Sequence, residues 1–288
     1  MYVPWFRIDG LTIDLSTDIK YLTTLDAAEL TVKSIMRDFP PPYRIMVSGG
    51  IDSQTMLYAW KLFGKDYIPT SIEYSNGFND HDLITLKAFA QQESIEIEYV
   101  NFDILDFFKD RFFYIVEKYH CCSPQFAAHI GMSEPLDGTC VFSGDRLDEN
   151  VCHITSKNIC MLEAAQDRPI VPYFFMHTPE ISYSLLYEHG NLTTGIEQET
   201  FYDYERKVLS YTKSGIPVIA QPTKYTGFEK VREYYDNNFA HLRTPKLKLT
   251  YFKQYPRHCM FDLLLRYPYQ KRFMKHFKYI INGLSNIK

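Results

Sequence analysis

No stretch of the 288 residues approaches the apolar length that a bilayer-spanning helix requires, so no transmembrane helix is expected. The opening segment, MYVPWFRIDG, lacks the basic-then-apolar order of a secretion signal, so a cytoplasmic location is expected. Cysteine is sparse, with six residues and no Cys-x-x-Cys pair. In a reducing compartment these are free thiols. The stretches HCC (120–122) and CHITSKNIC (152–160) could supply zinc ligands if the fold joined them; buried thiols are the plainer expectation. There is no internal repeat and no low-complexity tract, so neither a solenoid nor a disordered chain is indicated.

What is present is ordinary in amount and uneven in distribution. Hydrophobic residues make up 45% and charged residues 23%, enough for one large domain or a domain with extensions. The net charge is −4, yet from Arg243 to Lys288 eleven Lys and Arg face a single acid, Asp262. The tail is near +10 and the rest near −14. Such segregation fits an internal electrostatic dock or an anionic partner.

Residues 5–16, WFRIDGLTIDLS, alternate around Asp9-Gly10 and predict a hairpin. Helical spacing of Leu25, Leu30, Val32, Ile35, Met36 and Phe39 predicts a helix over 25–39, with Asp26 near its start and Pro40 to Pro42 at its end. Then strands and helices alternate: YRIMVS, a helix closed by Gly64, IPTSIEYS (68–75), a helix over 80–94, IEIEYVNFD (95–103), a helix over 104–120 and TCVFSGD (139–145). This order predicts βαβ units and an α/β fold with a parallel, Rossmann-like sheet flanked by helices. Beyond about residue 155 the pattern is less regular, with helices expected over 199–215 and from Met260 to Ile281.

The segment SGGIDS (48–53) stands between a buried strand ending at Val47 and a helix starting near Asp52. In open parallel sheets ligands bind beyond the carboxyl ends of strands. Glycine lets backbone approach a ligand, and successive amides feeding a helix N-terminus trap anions. Ser48 and Ser53 add hydroxyls. The loop has neither the lysine of a Walker loop nor the spacing of Gly-x-Gly-x-x-Gly. Asp52 would repel phosphates unless a cation such as Mg2+ lay between them. A simple Ser/Gly/Asp turn that caps the helix is the other possibility.

SGGIDS resembles the Ser-Gly-Gly-x-Asp-Ser signature of the PP-loop ATP pyrophosphatases, which include asparagine synthetase, GMP synthetase, NAD synthetase, argininosuccinate synthetase and tRNA thiolation enzymes. The resemblance implies an adenine nucleotide alpha hydrolase-like domain that binds ATP, adenylates a substrate oxygen and releases pyrophosphate. It implies that Ser48, Gly49, Gly50, Asp52 and Ser53, with Ile51 between them, hold the pyrophosphate end and its magnesium. Met46 and Val47 would flank the adenine, and Ile72 and Tyr74 would face the adenosine.

A second cluster, CVFSGDRLDENV (140–151), resembles the SGEGSDE-type motif of asparagine synthetase and β-lactam synthetase in Ser143, Gly144, Asp148 and Glu149, with Asp145 standing for the first acid. Arg146 and Leu147 replace small residues. The resemblance makes Asp148 a magnesium or pyrophosphate contact, assisted by Asp145 or Glu149. An exposed acidic helix start is the alternative. GIPVIAQPTKYTGF (215–228) is similar to the segment carrying the catalytic lysine of asparagine synthetase, which puts Lys224 in that role, with Lys230 next in line. An ordinary surface lysine is the alternative. CCSPQFAAH (121–129), with Ser123, would border the acceptor pocket.

The expected activity is an ATP-dependent, AMP- and pyrophosphate-forming ligase that activates a carboxylate for attack by ammonia or an amine. Only about forty residues precede the loop, too few for a glutaminase domain, so free ammonia, another amine or a separate glutaminase is expected. The boundaries are 1–42 as an N-terminal extension, 43–230 as the ATP pyrophosphatase domain and 231–288 as a basic helical extension. The basic, aromatic tail supports a rival, adenylation of a base in tRNA or another nucleic acid. A non-catalytic ATP-binding module is a second rival.

Overall fold

The computed structural model describes residues 6–7, 12–13, 22–119, 121, 124–144, 156–178, 180–181, 184, 202–221, 228, 230, 231 and 233. The expected hairpin is present as β1 (Phe6–Arg7) and β2 (Thr12–Ile13), paired antiparallel with Phe6 opposite Ile13. Helix α1 (Thr24–Asp38) follows. Its cap is Thr23, not Asp26: the Thr23 hydroxyl accepts from the Asp26 amide at 3.2 Å and donates to the Asp26 carboxylate at 2.7 Å. Asp26 therefore sits three residues inside, and its carboxylate accepts from the capping hydroxyl.

The sheet is five-stranded and wholly parallel, in the order β5-β4-β3-β6-β7. Its strands are β3 (Tyr43–Met46), β4 (Tyr67–Tyr74), β5 (Glu98–Phe102), β6 (Thr139–Phe142) and β7 (Ile170–Val171). The fifth strand, β7, went unread in the sequence because it is two residues long. Helices α2 (Ile51–Phe63), α3 (Asp80–Glu93), α6 (Pro124–Ser133) and α7 (Ser156–Asp167) lie between the strands. Strand β3 is buried at every position, as a central parallel strand must be. Its alternate side chains feed two cores. Tyr43, Ile45 and Val47 join α1, α2 and α3 through Val32, Ile35, Trp60 and Phe89, whereas Met46 joins Phe142, Ala127, Ala128 and Ala164 on the other face. Helix α1, N-terminal to residue 43, thus packs into the same core as α2.

The expected helix over 104–120 is broken into α4 (Ile104–Asp106), a π segment (Phe107–Arg111) and α5 (Phe112–Lys118). The wider turn brings Phe112 beneath Phe107, ring centres 6.3 Å apart, while Phe108 and Phe112 stay 5.1 Å apart. All three rings are then buried together. Residues 124–129, expected as a pocket border, form the start of α6. Among the described residues no helix is long and apolar enough to cross a membrane.

His177, 1% exposed beside the Phe39 ring, has a pKa lowered to about 4 because burial disfavours its charged form. The unfolded chain takes up this proton near pH 6.5 and the folded chain only near 4, so the stability this site contributes is intact above about 6.5 and falls as the pH drops towards 4. The loss expected from His177 over that window is about 3 kcal/mol. His177→Gln should flatten the pH dependence of the urea midpoint between those limits.

Candidate functional site

The strand order reverses between β3 and β6, which pair with Met46 opposite Phe142. The two loops that leave this edge, residues 47–50 and 143–144, therefore start side by side at the crevice where open α/β sheets bind ligands. Val47 continues the ladder through its amide to the Thr70 carbonyl at 2.9 Å. The chain then turns sharply at Gly49, φ +91°, a conformation that favours glycine. A Cβ there would overlap the backbone carbonyl of Asp82 in the first turn of α3. Gly49 is thus required by the fold.

Gly50 is different. Its backbone is ordinary extended chain, φ −65° and ψ 148°, and a Cβ would meet only the Ser48 hydroxyl, at 3.7 Å. Neither conformation nor packing explains its glycine. Gly50 is the N-cap of α2 and, having no side chain, supplies no cap to that helix. The first-turn amides thus have no capping bond from the N-cap residue and carry the positive end of the helix. The Ser53 hydroxyl donates to the Gly50 carbonyl at 2.8 Å and accepts from the Ser48 amide at 3.2 Å, and so braces the loop from within. Ser48 is exposed at the loop's tip and Ile51 is buried beneath it.

Asp52, in the first turn of α2, is held by helix α8 (Tyr202–Lys213). The Lys207 ammonium lies 3.2 Å from one carboxylate oxygen and the Tyr211 hydroxyl donates to the other at 2.5 Å. The pair is shielded, with side-chain exposure of 18% for Asp52 and 9% for Lys207. The segment after α8 is stitched to the same corner. Gln54, fully buried, donates to the carbonyls of Gly49 (2.6 Å) and Ile219 (2.9 Å) and accepts from the Ile219 amide (2.8 Å). Gln221 donates to the buried Asp82 carboxylate at 2.5 Å, and its amide donates to the Tyr204 hydroxyl at 2.8 Å. Burial, then the nearby Asp52 and Asp82 charges, raise the Tyr204 pKa against the lowering effect of its bond to Gln221, so its phenol stays protonated.

Lys207, Tyr211, Gln54 and Gln221 were not singled out in the sequence. One signal existed: Tyr204, Lys207 and Tyr211 recur at helical spacing, which puts a lysine on the inward stripe of α8.

Of the other residues implicated by the sequence, Ser143 and Gly144 lie on the second loop, Gly144 with φ +64° and its face closed by Tyr173. Met46, Ile72 and Tyr74 are buried in the core beneath the site. Asn79 bridges the Ile72 carbonyl (2.7 Å) and the Tyr74 amide (3.0 Å) and so fixes the end of β4. Burial pushes the Tyr74 hydroxyl well above its usual pKa, and its ring meets Phe228 edge-on at 6.2 Å. Lys230 is exposed. Asp145, Asp148, Glu149, Lys224 and Ser123 lie outside the described residues, as do Cys122, Cys152 and Cys259. Cys121, Cys140 and Cys160 are buried free thiols. Among the described residues no group of three or more His, Cys, Asp or Glu could hold a metal ion.

The loop fits the phosphate end of a nucleotide in two respects: the uncapped amides of α2 offer donors, and the space a side chain at Gly50 would fill admits a ligand to the backbone. Asp52 is the carboxylate of the loop's own motif among the described residues, and it is paired with Lys207 at 3.2 Å.

No family model matches the chain, and no curated protein matches it. Among solved structures, the chain is similar to the U34-tRNA thiolase NcsA from Methanococcus maripaludis with its 4Fe-4S cluster. Identity is 12%, over 92% of this chain and 80% of that one, with a TM-score of 0.35, a likeness too slight to bear on function.

Proposed function

We propose that this chain binds ATP with its phosphates against the β3–α2 loop and uses it to adenylate a substrate oxygen, in the manner of the PP-loop ATP pyrophosphatases. The observation that carries this is Gly50, a glycine that the fold does not need, at an uncapped helix N-terminus on the crevice side of the sheet. The motif resemblance of SGGIDS agrees with it. The acceptor we favour is a carboxylate. Its oxygen attacks the α-phosphorus, the bond to the bridging oxygen breaks and pyrophosphate leaves. An amine or ammonia then attacks the acyl carbon and AMP departs. In this scheme the amides of residues 50–53 hold the leaving pyrophosphate, and Met46, Val47, Ile72 and Tyr74 form the floor on the adenosine side. Ser143, Gly144 and Asp145 form the opposite lip, and Lys224 and Glu149 act at the acyl phosphate. Magnesium, bound through Asp52 and Asp148, would supply charge neutralisation of the phosphates.

The charge segregation of the sequence favours a second acceptor, a base in tRNA or another nucleic acid, held through the +10 stretch from Arg243 to Lys288. Pyrophosphate–ATP exchange tests the shared step. Exchange stimulated by one component of an amino-acid and organic-acid panel supports the ligase; exchange stimulated only by RNA transfers the assignment to the nucleic-acid reaction. Tight ATP binding with no exchange and no AMP under any condition would leave a binding module and refute both.

A further inference from the structure

Beside the second loop stands a side chain that the scheme above leaves unused. The His129 ring of α6 lies on Phe142, the last residue of β6, with ring centres 5.4 Å apart and planes 24° apart, and Phe126 meets it edge-on at 5.8 Å. Phe142 pairs with Met46 and is followed at once by Ser143 and Gly144. The imidazole therefore stands at the crevice end of the sheet, on the face where Met46, Ile72 and Tyr74 are buried. His129 is half-buried and its described contacts are both aromatic; among the described residues no hydrogen bond reaches either ring nitrogen. Burial lowers its pKa to about 4, and no described charge bears on it. At neutral pH the ring is uncharged, with one nitrogen that donates and one that accepts.

An enclosed imidazole ordinarily has a hydrogen-bond partner, so a ligand is the natural complement of this one. An aromatic shelf with a single neutral polar edge suits a small neutral group. A carboxylate there would need a cation and an ammonium an anion, and the described residues around the ring offer neither. In the proposed reaction the participant of that kind is the nucleophile. Ammonia or an amine attacks only as the free base, and an aromatic wall that excludes water disfavours its charged form. We propose that His129 receives the attacking ammonia or amine at the acceptor end of the crevice, its unprotonated ring nitrogen accepting a hydrogen bond from the N–H while the lone pair stays free for the acyl carbon. His129 is then a nucleophile-binding residue and Phe142, which carries its ring, a positioning residue. This rests on the ligase reading above.

The two halves of the reaction separate this role from a merely structural one. Pyrophosphate–ATP exchange, run with the organic-acid panel component that stimulates wild type, reports adenylation and an intact site. Amide formation with ammonium chloride and hydroxamate formation with hydroxylamine report the second half. His129→Phe keeps a ring on Phe142 and removes both nitrogens. It should exchange within about twofold of wild type, yet raise the KM for ammonium and for hydroxylamine by about tenfold. His129→Gln, whose side-chain oxygen accepts, should return both values to within about threefold of wild type. If His129→Phe does not fold, His129→Leu against His129→Gln carries the comparison, with the tenfold difference read between those two. Loss of exchange in parallel with the amine step in every variant, or an amine KM that none of them moves, overturns the assignment of His129 and leaves adenylation standing. Exchange that is absent from wild type, or stimulated only by RNA, overturns the ligase reading and this inference with it.

Discussion

Gly49→Ala is expected to destabilise the protein by roughly 3–5 kcal/mol, whereas Gly50→Ala one position later should leave stability unchanged or raise it by up to about 1 kcal/mol. At Gly49 an alanine would have to adopt φ +91°, and its Cβ would overlap a backbone oxygen in α3 that no rotamer change can move. Either the β3–α2 loop or the first turn of α3 must shift, and Gln54 and Gln221 tie both to the chain after α8. At Gly50 the backbone suits alanine and the nearest atom is at ordinary contact distance. The functional expectation runs opposite to the structural one. Gly50→Ala should weaken ATP binding by tenfold or more, on the order of 1.4 kcal/mol, because the methyl group takes space the phosphates would use. Urea denaturation and calorimetric titration on the two variants check this. Full ATP affinity in a stable Gly50→Ala protein would remove the main support for a ligand at this loop.

Asp52→Ala should abolish AMP formation and also cost about 2–5 kcal/mol of stability. The second effect arises because the Lys207 ammonium, with its side chain 9% exposed, would lose the Asp52 carboxylate at 3.2 Å, and the Tyr211 hydroxyl would lose its bond to the same group. Removing the lysine as well, in Asp52→Ala with Lys207→Met, should restore much of the stability and none of the activity. AMP measured by chromatography and the urea midpoint, taken on the same preparations, separate the two losses. Wild-type rates of AMP formation in Asp52→Ala would exclude the loop as the reaction site.

The strands that carry the crevice were legible because central parallel strands are mostly apolar on both faces: TCVF and YRIMV are short, largely apolar runs, the latter interrupted only by Arg44, and each is followed by a glycine loop. The two loops fall on neighbouring strands, as a reversal in strand order between β3 and β6 requires. Less was legible where a position depends on long-range packing. The π segment answers to three phenylalanines competing for one core, and a helical periodicity cannot announce it. The partners of Asp52 lie more than 150 residues away, on a helix whose existence the spacing gave but whose docking face it did not. The bracing bond of Ser53 is not legible in the sequence, because a serine that braces its own loop and a serine that donates to a ligand have the same sequence signature.

Strand β3 pairs with β4 from the neighbouring stretch of chain on one side, and on the other with β6, which is synthesised far later. On a ribosome, one wall of the crevice can assemble from its local partners while the opposite wall does not yet exist, and the helix that restrains Asp52 emerges last of the three. Until then the anion-attracting amides of α2 would have no lysine and no second lip beside them. Acquisition of the proposed nucleotide affinity should therefore be a late event in maturation, and nascent chains released before α8 is exposed would hold a sheet centre without its restraint on Asp52.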